Sequence, residues 1–171
     1  MSKDGSSTNA ANVTKHHGVF AFLLKDPLTY TLHGSWALIE NPTVFQEHTH
    51  VFGVEVSAIH GNGRASHRLL NWLAQQHGSD YTLLHLPDYD PTGLNDFLRL
   101  YKLLGDRVQL HLPPNLEALF DNYGDAGLLT KDHHRNILRN LRKSQHPSVA
   151  RVVELMDHYN AGLEQEALLI P

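Results

Sequence analysis

The segment Leu83-Leu84-His85-Leu86-Pro87-Asp88-Tyr89-Asp90-Pro91-Thr92-Gly93 constrains the fold of this chain more than any other. A mostly apolar run of strand length meets Pro87, and three residues later Asp90 stands before Pro91. Proline fixes φ and lacks an N–H, so it does not continue a central strand, but it suits the first position of a helix. Asp90 therefore reads as an N-cap and Pro91 as the first helical residue. Leu94, Phe97, Leu98, Tyr101 and Leu104 then recur at helical spacing, and Gly105 ends the pattern. A second junction of the same kind lies upstream. The apolar stretch from Ser35 to Ile39 runs into Glu40, with Asn41 as the cap and Pro42 in the first turn of the next helix.

The remaining pattern continues this alternation. Val51 to Ile59 is β-branched and apolar and predicts a strand, and Gly61-Asn62-Gly63 a turn. Leu69, Leu70, Trp72 and Leu73 predict a helix over Arg64 to His77 with Gly78 as C-cap. Val108 to Leu112 predicts a further strand, stopped by Pro113-Pro114. Strands alternating with helices through short connections imply an α/β fold, a mostly parallel sheet with helices on both faces. In such sheets ligands bind outside the carboxyl ends of the strands, where Glu40, Asp88 and Asp90 all fall. After Leu116 the pattern is helical, over Leu116 to Tyr123, Lys131 to Lys143 and Ser148 to Asn160. A last segment, Gly162 to Leu168, is expected to pack back on the domain. Before the first junction, Gly18 to Leu24 and Leu28 to Leu32 read as a β-hairpin, or a strand with a bend, around Lys25-Asp26-Pro27. Met1 to Thr14 is rich in Ser, Asn and Ala, so residues 1–15 are expected to form a disordered tail and 16–171 one domain, with no internal repeat.

Composition narrows the chemistry. With 171 residues, 41% of them hydrophobic, the chain supports one sizeable core. It contains no cysteine, which excludes disulfides, thiolate metal sites and cysteine nucleophiles, and fits a cytoplasmic location. No apolar run approaches the roughly 18 residues of a membrane span, and the N-terminus lacks the apolar core of a signal peptide. The net charge of −4 means that nucleic acid must be met by a local basic patch, a divalent cation or a partner protein. Fourteen histidines are present, and His48-Thr49-His50 would place two imidazoles on one face of a strand; His133 and His134 would diverge on a helix. No third ligand has suitable spacing, so surface histidines are expected rather than a zinc site.

The aspartate pair admits several readings. Asp90 as a helix cap is expected in any case and leaves Asp88 unexplained. A calcium loop fails because the twelfth position is Arg99, where a bidentate glutamate is needed. A strand followed by Asp-x-Asp-x-Thr is similar to the first motif of the haloacid dehalogenase-like phosphatases, with Asp88 as nucleophile and Asp90 as general acid/base. That motif normally opens its domain, whereas strands precede it here. The third reading adds Glu40: hard carboxylate oxygens suit Mg²⁺, or Mn²⁺ in its place, with Glu40 as a further ligand or as general base. A solvated strand end is the alternative for Glu40 taken alone.

Taken in order, Ile39-Glu40-Asn41-Pro42, Gly61-x-Gly63 and Asp88-x-Asp90-x-x-Gly93 resemble the Toprim domain of topoisomerases, primases and related nucleases. The resemblance is nearest to the C-terminal domain of the nuclease subunit of Wadjet plasmid-defence systems and to the A subunit of topoisomerase VI. Leu163-Glu164-Gln165-Glu166 resembles the segment that closes those domains, so the likeness covers Trp36 to Pro171. Pro87 stands where the relatives usually have glycine. The resemblance implies Glu40, Asp88 and Asp90 as catalytic and metal-holding residues, with Glu164 and Glu166 joining the metal site. It implies metal-dependent hydrolysis of DNA phosphodiesters within a DNA-processing or plasmid- or phage-defence complex. A non-catalytic module of the same fold, binding nucleic acid or a partner, is the alternative. Only about 35 residues precede the resemblance, too few for the DNA-binding segments of the relatives, so either a missing DNA-binding domain or a protein partner that lends its DNA contacts is expected. Lys131, Arg135, Arg139, Arg142 and Lys143 form a basic stretch with only Asp132 opposing. Arg135, Arg139 and Arg142 fall on one helical face, as a nucleic-acid contact or as a solvated surface.

Overall fold

Four parallel strands form the sheet in a computed structural model that describes residues 9–18, 21, 31–52, 56–76 and 80–170. In chain order the elements are α1 (Ala10–His17), β1 (Ser35–Ile39), α2 (Pro42–Gln46), α3 (His48–Phe52), β2 (Ser57–His60) and α4 (His67–Ala74). There follow β3 (Thr82–Leu86), α5 (Pro91–Leu104), β4 (Val108–Leu110), α6 (Leu116–Tyr123), α7 (Gly127–Thr130), α8 (Asp132–Leu141) and α9 (Pro147–Tyr159). A 3-10 turn, Gln165–Leu169, closes the chain. The strands lie in the order β2-β1-β3-β4, every pair parallel, so the expected α/β fold with a helical C-terminal region is what forms.

Register fixes both faces of the sheet. Leu38 pairs with His85 and Ile39 with Leu86, and successive strand residues point to opposite sides. Ala37, Ile39 and Leu86 face a small core closed by Val44, Phe45, Val51 and Phe52 of α2 and α3 and by Leu168 and Leu169. Leu38, Leu83, Val108 and Leu110 face the larger core, which includes Leu69, Trp72 and Leu73 of α4, Leu94, Phe97 and Leu100 of α5, and Val149, Val152 and Met156 of α9. His85 belongs to that larger side. Burial drives its imidazole down to about 4, so it sits neutral beside Phe97.

The two proline junctions form as the sequence predicts. Asn41 Oδ1 accepts the N–H groups of Thr43 and Val44 at 2.8 and 3.1 Å, and Asp90 Oδ1 accepts that of Gly93 at 2.7 Å. Gly93 has a further reason to be glycine. A Cβ there would lie 2.1 Å from the Asp88 carbonyl oxygen and 2.8 Å from Pro87 Cβ, so the first turn of α5 packs directly on the backbone leaving β3.

Several expectations are corrected. The stretch read as a strand from Val51 is helical through Phe52, and the strand itself begins at Ser57. Strand propensity yields to packing here, because Val51 and Phe52 cover the Ile39 face of the sheet as part of a helix. His48 and His50 therefore lie on a helix, not on a strand, and their imidazoles have separate partners, the Phe45 carbonyl at 2.9 Å and Glu47 at 3.1 Å. The helix expected from Arg64 starts only at His67, because Ser66 Oγ accepts the Leu69 N–H and caps it. Part of the segment read as a disordered tail is α1, capped by Asn9 at one end and by left-handed Gly18 at the other. Nearly all of the hairpin expected over Gly18 to Leu32 lies outside the described residues, as does Gly78.

Substituting Gly93 with alanine forces Cβ into the Asp88 carbonyl. The expected result is a loss of about 3 kcal/mol in urea unfolding. A loss under about 1 kcal/mol would show that this contact relaxes easily.

Candidate functional site

The carboxyl edge of the sheet carries the acids because β1 and β3 end level. Ile39 is the partner of Leu86 in the register, so Glu40 and the Pro87-Asp88 turn leave neighbouring strands at the same height. His60, the last residue of β2, adds a ring nitrogen 3.1 Å from the Glu40 carbonyl oxygen. Asp90 follows one turn later as the cap of α5.

Glu40, Asp88 and Asp90 are brought within range of one another's charge. Burial, then the charges of Asp88, Asp96 and Asp90, push the Glu40 carboxyl up to about 7, with Arg64 opposing them. Burial also pushes Asp88 up to about 6, helped by Asp90, Glu166 and Glu164 and opposed by the Gln165 N–H. Asp90 is raised by burial, against the N–H of Gly93 and the nearby charges of His134 and Lys131. Carboxyls with raised proton affinity gathered at a strand edge make this edge the candidate functional site.

The predicted closing segment seals this edge. Leu163 pairs with Tyr89 through two backbone hydrogen bonds of 2.8 and 3.0 Å. The Gln165 N–H donates to Asp88 Oδ1 at 2.9 Å, and its side-chain oxygen accepts the Asn41 N–H at 3.2 Å. Gln165 thus joins the turn after β1 to the turn after β3, and it is fully buried with its Nε2 unpaired among the described residues. Glu164 and Glu166 stand exposed on either side of it. Asn41 Nδ2 donates to Glu166.

Other predicted residues are placed differently. Lys131, Arg135, Arg139, Arg142 and Lys143 are all exposed. Arg142 lies just past the end of α8 and binds Asp157 with two hydrogen bonds of 3.0 and 2.6 Å, so its charge is matched within the chain. Among the described residues Arg135, Arg139 and Lys143 make no ion pair, whereas Lys131 lies close enough to act on Asp90.

Sequence reasoning missed four participants. His134 is buried, with Nδ1 bonded to the Leu128 carbonyl and Nε2 2.9 Å from Thr92 Oγ1 and 3.9 Å from Asp90 Oδ2. Its distance along the chain from Asp90 left no signal. Asp96 is buried under Arg64 and Arg99, and only the i, i+3 spacing of Asp96 and Arg99 was legible. His133 is exposed and His134 buried, but their rings meet edge to face with centroids 4.3 Å apart, so the two adjacent histidines do not diverge as expected.

The donor chemistry suits a hard divalent cation. Among the described residues no hydrogen bond reaches the Glu40 carboxyl or the second oxygen of Asp88, so these acceptors are unspent. Also among the described residues, no group of three His, Cys, Asp or Glu side chains forms a cage able to hold a metal by itself. Mg²⁺ does not demand one, since it keeps several waters and takes one or two carboxylates. Set against protein-family models, curated proteins and solved structures, the chain matches none of them. The fold and the site define an α/β domain with an acidic cluster at the carboxyl edge of its sheet.

The raised carboxyl of Glu40 carries a stability signature. The folded state holds its proton more tightly than the unfolded chain, so its contribution is complete below about pH 4.5 and is lost as pH rises through about 7. Glu40→Gln is therefore expected to match wild type near pH 4.5 and exceed it by about 1–2 kcal/mol at pH 8, a figure reduced for partial exposure. Urea unfolding at the two pH values measures the difference. An offset that does not change with pH would remove the charge crowding from the account.

Proposed function

We propose that the protein is a Mg²⁺-dependent nuclease of the Toprim type acting on DNA phosphodiesters, with Mn²⁺ as an alternative ion, within a DNA-processing or defence complex. The observation that carries this reading is the placement of Glu40 and Asp88 directly after the level ends of adjacent parallel strands, Ile39 opposite Leu86, with Asp90 capping the helix that follows. Motif order supports it, as does the packing of the segment Leu163-Glu164-Gln165-Glu166 against the turn that carries Asp88. The phosphatase reading needs Asp88 as nucleophile and gives Glu40 no part, so it leaves this placement unexplained.

In this function Asp88 and Asp90 would hold the ion. The chemistry supplied there would be stabilisation of the negative charge that develops on the leaving oxygen. Glu40, with its carboxyl balanced near neutrality, takes the proton of the attacking water. His134 fixes Thr92 and the first turn of α5, and so positions Asp90. Glu164 and Glu166 add negative charge at the rim and take outer positions. The exposed residues Arg135 and Arg139 of α8, with Lys131 and Lys143 flanking it, supply phosphate contacts.

The absence of a three-acid cage among the described residues favours one second reading, a non-catalytic domain of the same fold that binds DNA or a partner. The same experiment separates the two. Supercoiled plasmid is incubated with wild type, Asp88→Ala and Glu40→Gln in Mg²⁺, Mn²⁺ or EDTA. The expected result is metal-dependent nicking by wild type that falls at least a hundredfold in either variant. Equal nicking by all three would sink the catalytic assignment. No nicking, with no gain in thermal stability on adding Mg²⁺, would favour the binding module.

A further inference from the structure

Beside the acidic edge lies an open depression lined by Arg64, Ala65, Ser66, His67 and Arg99, where the turn after β2 meets one flank of α5. Both arginines converge on one buried oxygen. Arg64 Nε and Nη2 each lie 2.7 Å from Asp96 Oδ1, and Arg99 Nη1 lies 2.9 Å from the same atom. The Asp96 side chain is only 8% exposed, while those of Arg64 and Arg99 are 55% and 27% exposed.

A surface arginine normally spreads over many rotamers and gains little from one exposed partner. Here a single buried carboxylate orients two guanidiniums at once. Each retains most of its five N–H donors, and the pair keeps an excess positive charge. Paired, forked donors in an open depression match the oxygens of a phosphate group. Ser66 points the same way, because its oxygen accepts the Leu69 N–H and leaves the hydroxyl hydrogen for another acceptor. Arg64 also lies near enough to Glu40 to counter the surrounding negative charge. The depression therefore lies near the acids and offers a seat for the anion that they repel.

We propose that Arg64 and Arg99, oriented by Asp96, form a subsite for a backbone phosphate of the nucleic acid strand whose neighbouring phosphodiester lies at Glu40, Asp88 and Asp90. The inference rests on the nuclease reading and extends it by naming where the strand is held. Asp96 is a positioning residue in this arrangement, and the two arginines are binding residues. The subsite also resolves how a chain with net charge −4 holds a polyanion next to clustered carboxylates.

The test measures binding apart from cleavage. A short fluorescein-labelled DNA duplex is titrated in EDTA over a salt series by fluorescence anisotropy, using wild type, Arg64→Gln, Arg99→Gln and Arg151→Gln. Arg151 pairs with Glu117 on another part of the surface and controls for loss of one charge. Arg64→Lys replaces Arg64→Gln if the loss of an Asp96 partner prevents folding, as judged by circular dichroism. The expected result is about tenfold weaker binding for Arg99→Gln and for the Arg64 variant, with Arg151→Gln like wild type. The log–log salt slope should fall by about 0.9 for each lost phosphate contact in the Gln variants. Unchanged affinity in folded variants, or no duplex binding by wild type at low salt, would overturn the subsite. Inorganic pyrophosphate forms a second arm. If it raises the melting temperature of wild type alone while the duplex fails to bind, the ligand is a free phosphate and the strand assignment is wrong. Failure of the nuclease reading looks different: the arginine effects on duplex binding persist, but metal produces no nicking.

Discussion

The parallel register between β1 and β3 is the constraint on which the rest of the site depends. Ile39 opposite Leu86 makes the two strands end together, and everything of chemical interest follows from what the chain does next. After β1 it turns through Glu40 into a helix capped by Asn41. After β3 it turns through Asp88 into a helix capped by Asp90. A slip of one residue would send Ala37, Ile39 and Leu86 to the wrong face and separate the acids in height. The apolar pattern that builds both cores therefore also aims the carboxylates.

Charge is crowded at this edge, and the molecule balances it with neighbours rather than by dispersal. Asp90 gives one oxygen to the Gly93 N–H, and Asp88 gives one to the Gln165 N–H. Glu40 has no such bond among the described residues, and burial pushes its carboxyl up to about 7. Buried negative charge left unpaired is costly to a fold. Here it lies beside a pair of arginines that a further buried carboxylate, Asp96, holds in place. Opposite charges thus stand side by side along the edge, each set fixed by packing beneath it.

Much of this was legible in the sequence, because strand–cap–proline junctions and helical spacing are local signals. Asn41, Asp90, Gly105 and the limits of α6 follow from neighbours a few residues away. What was not legible depends on distant partners. Nothing local says that Val51 and Phe52 close a core as a helix, since their residue types favour strands. Nor does the spacing around Asp96 reveal Arg64, 32 residues earlier, or that around Asp90 reveal His134, 42 residues beyond Thr92. Arg142 shows the limit of helical periodicity: its position along the pattern was readable, but its engagement with Asp157 was not.

The Gln165 bridge has a consequence for how the molecule comes together. Its bonds join residues 124 and 77 positions apart, whereas His60 meets Glu40 across only 20. Contacts of long sequence separation carry a greater loop-closure cost and reward the chain late. The Gln165 bonds therefore close the longest loops at this edge and carry the larger entropic cost. Opening that clasp alone would free one oxygen of Asp88 and the Asn41 N–H while leaving the pairing of Ile39 with Leu86 intact.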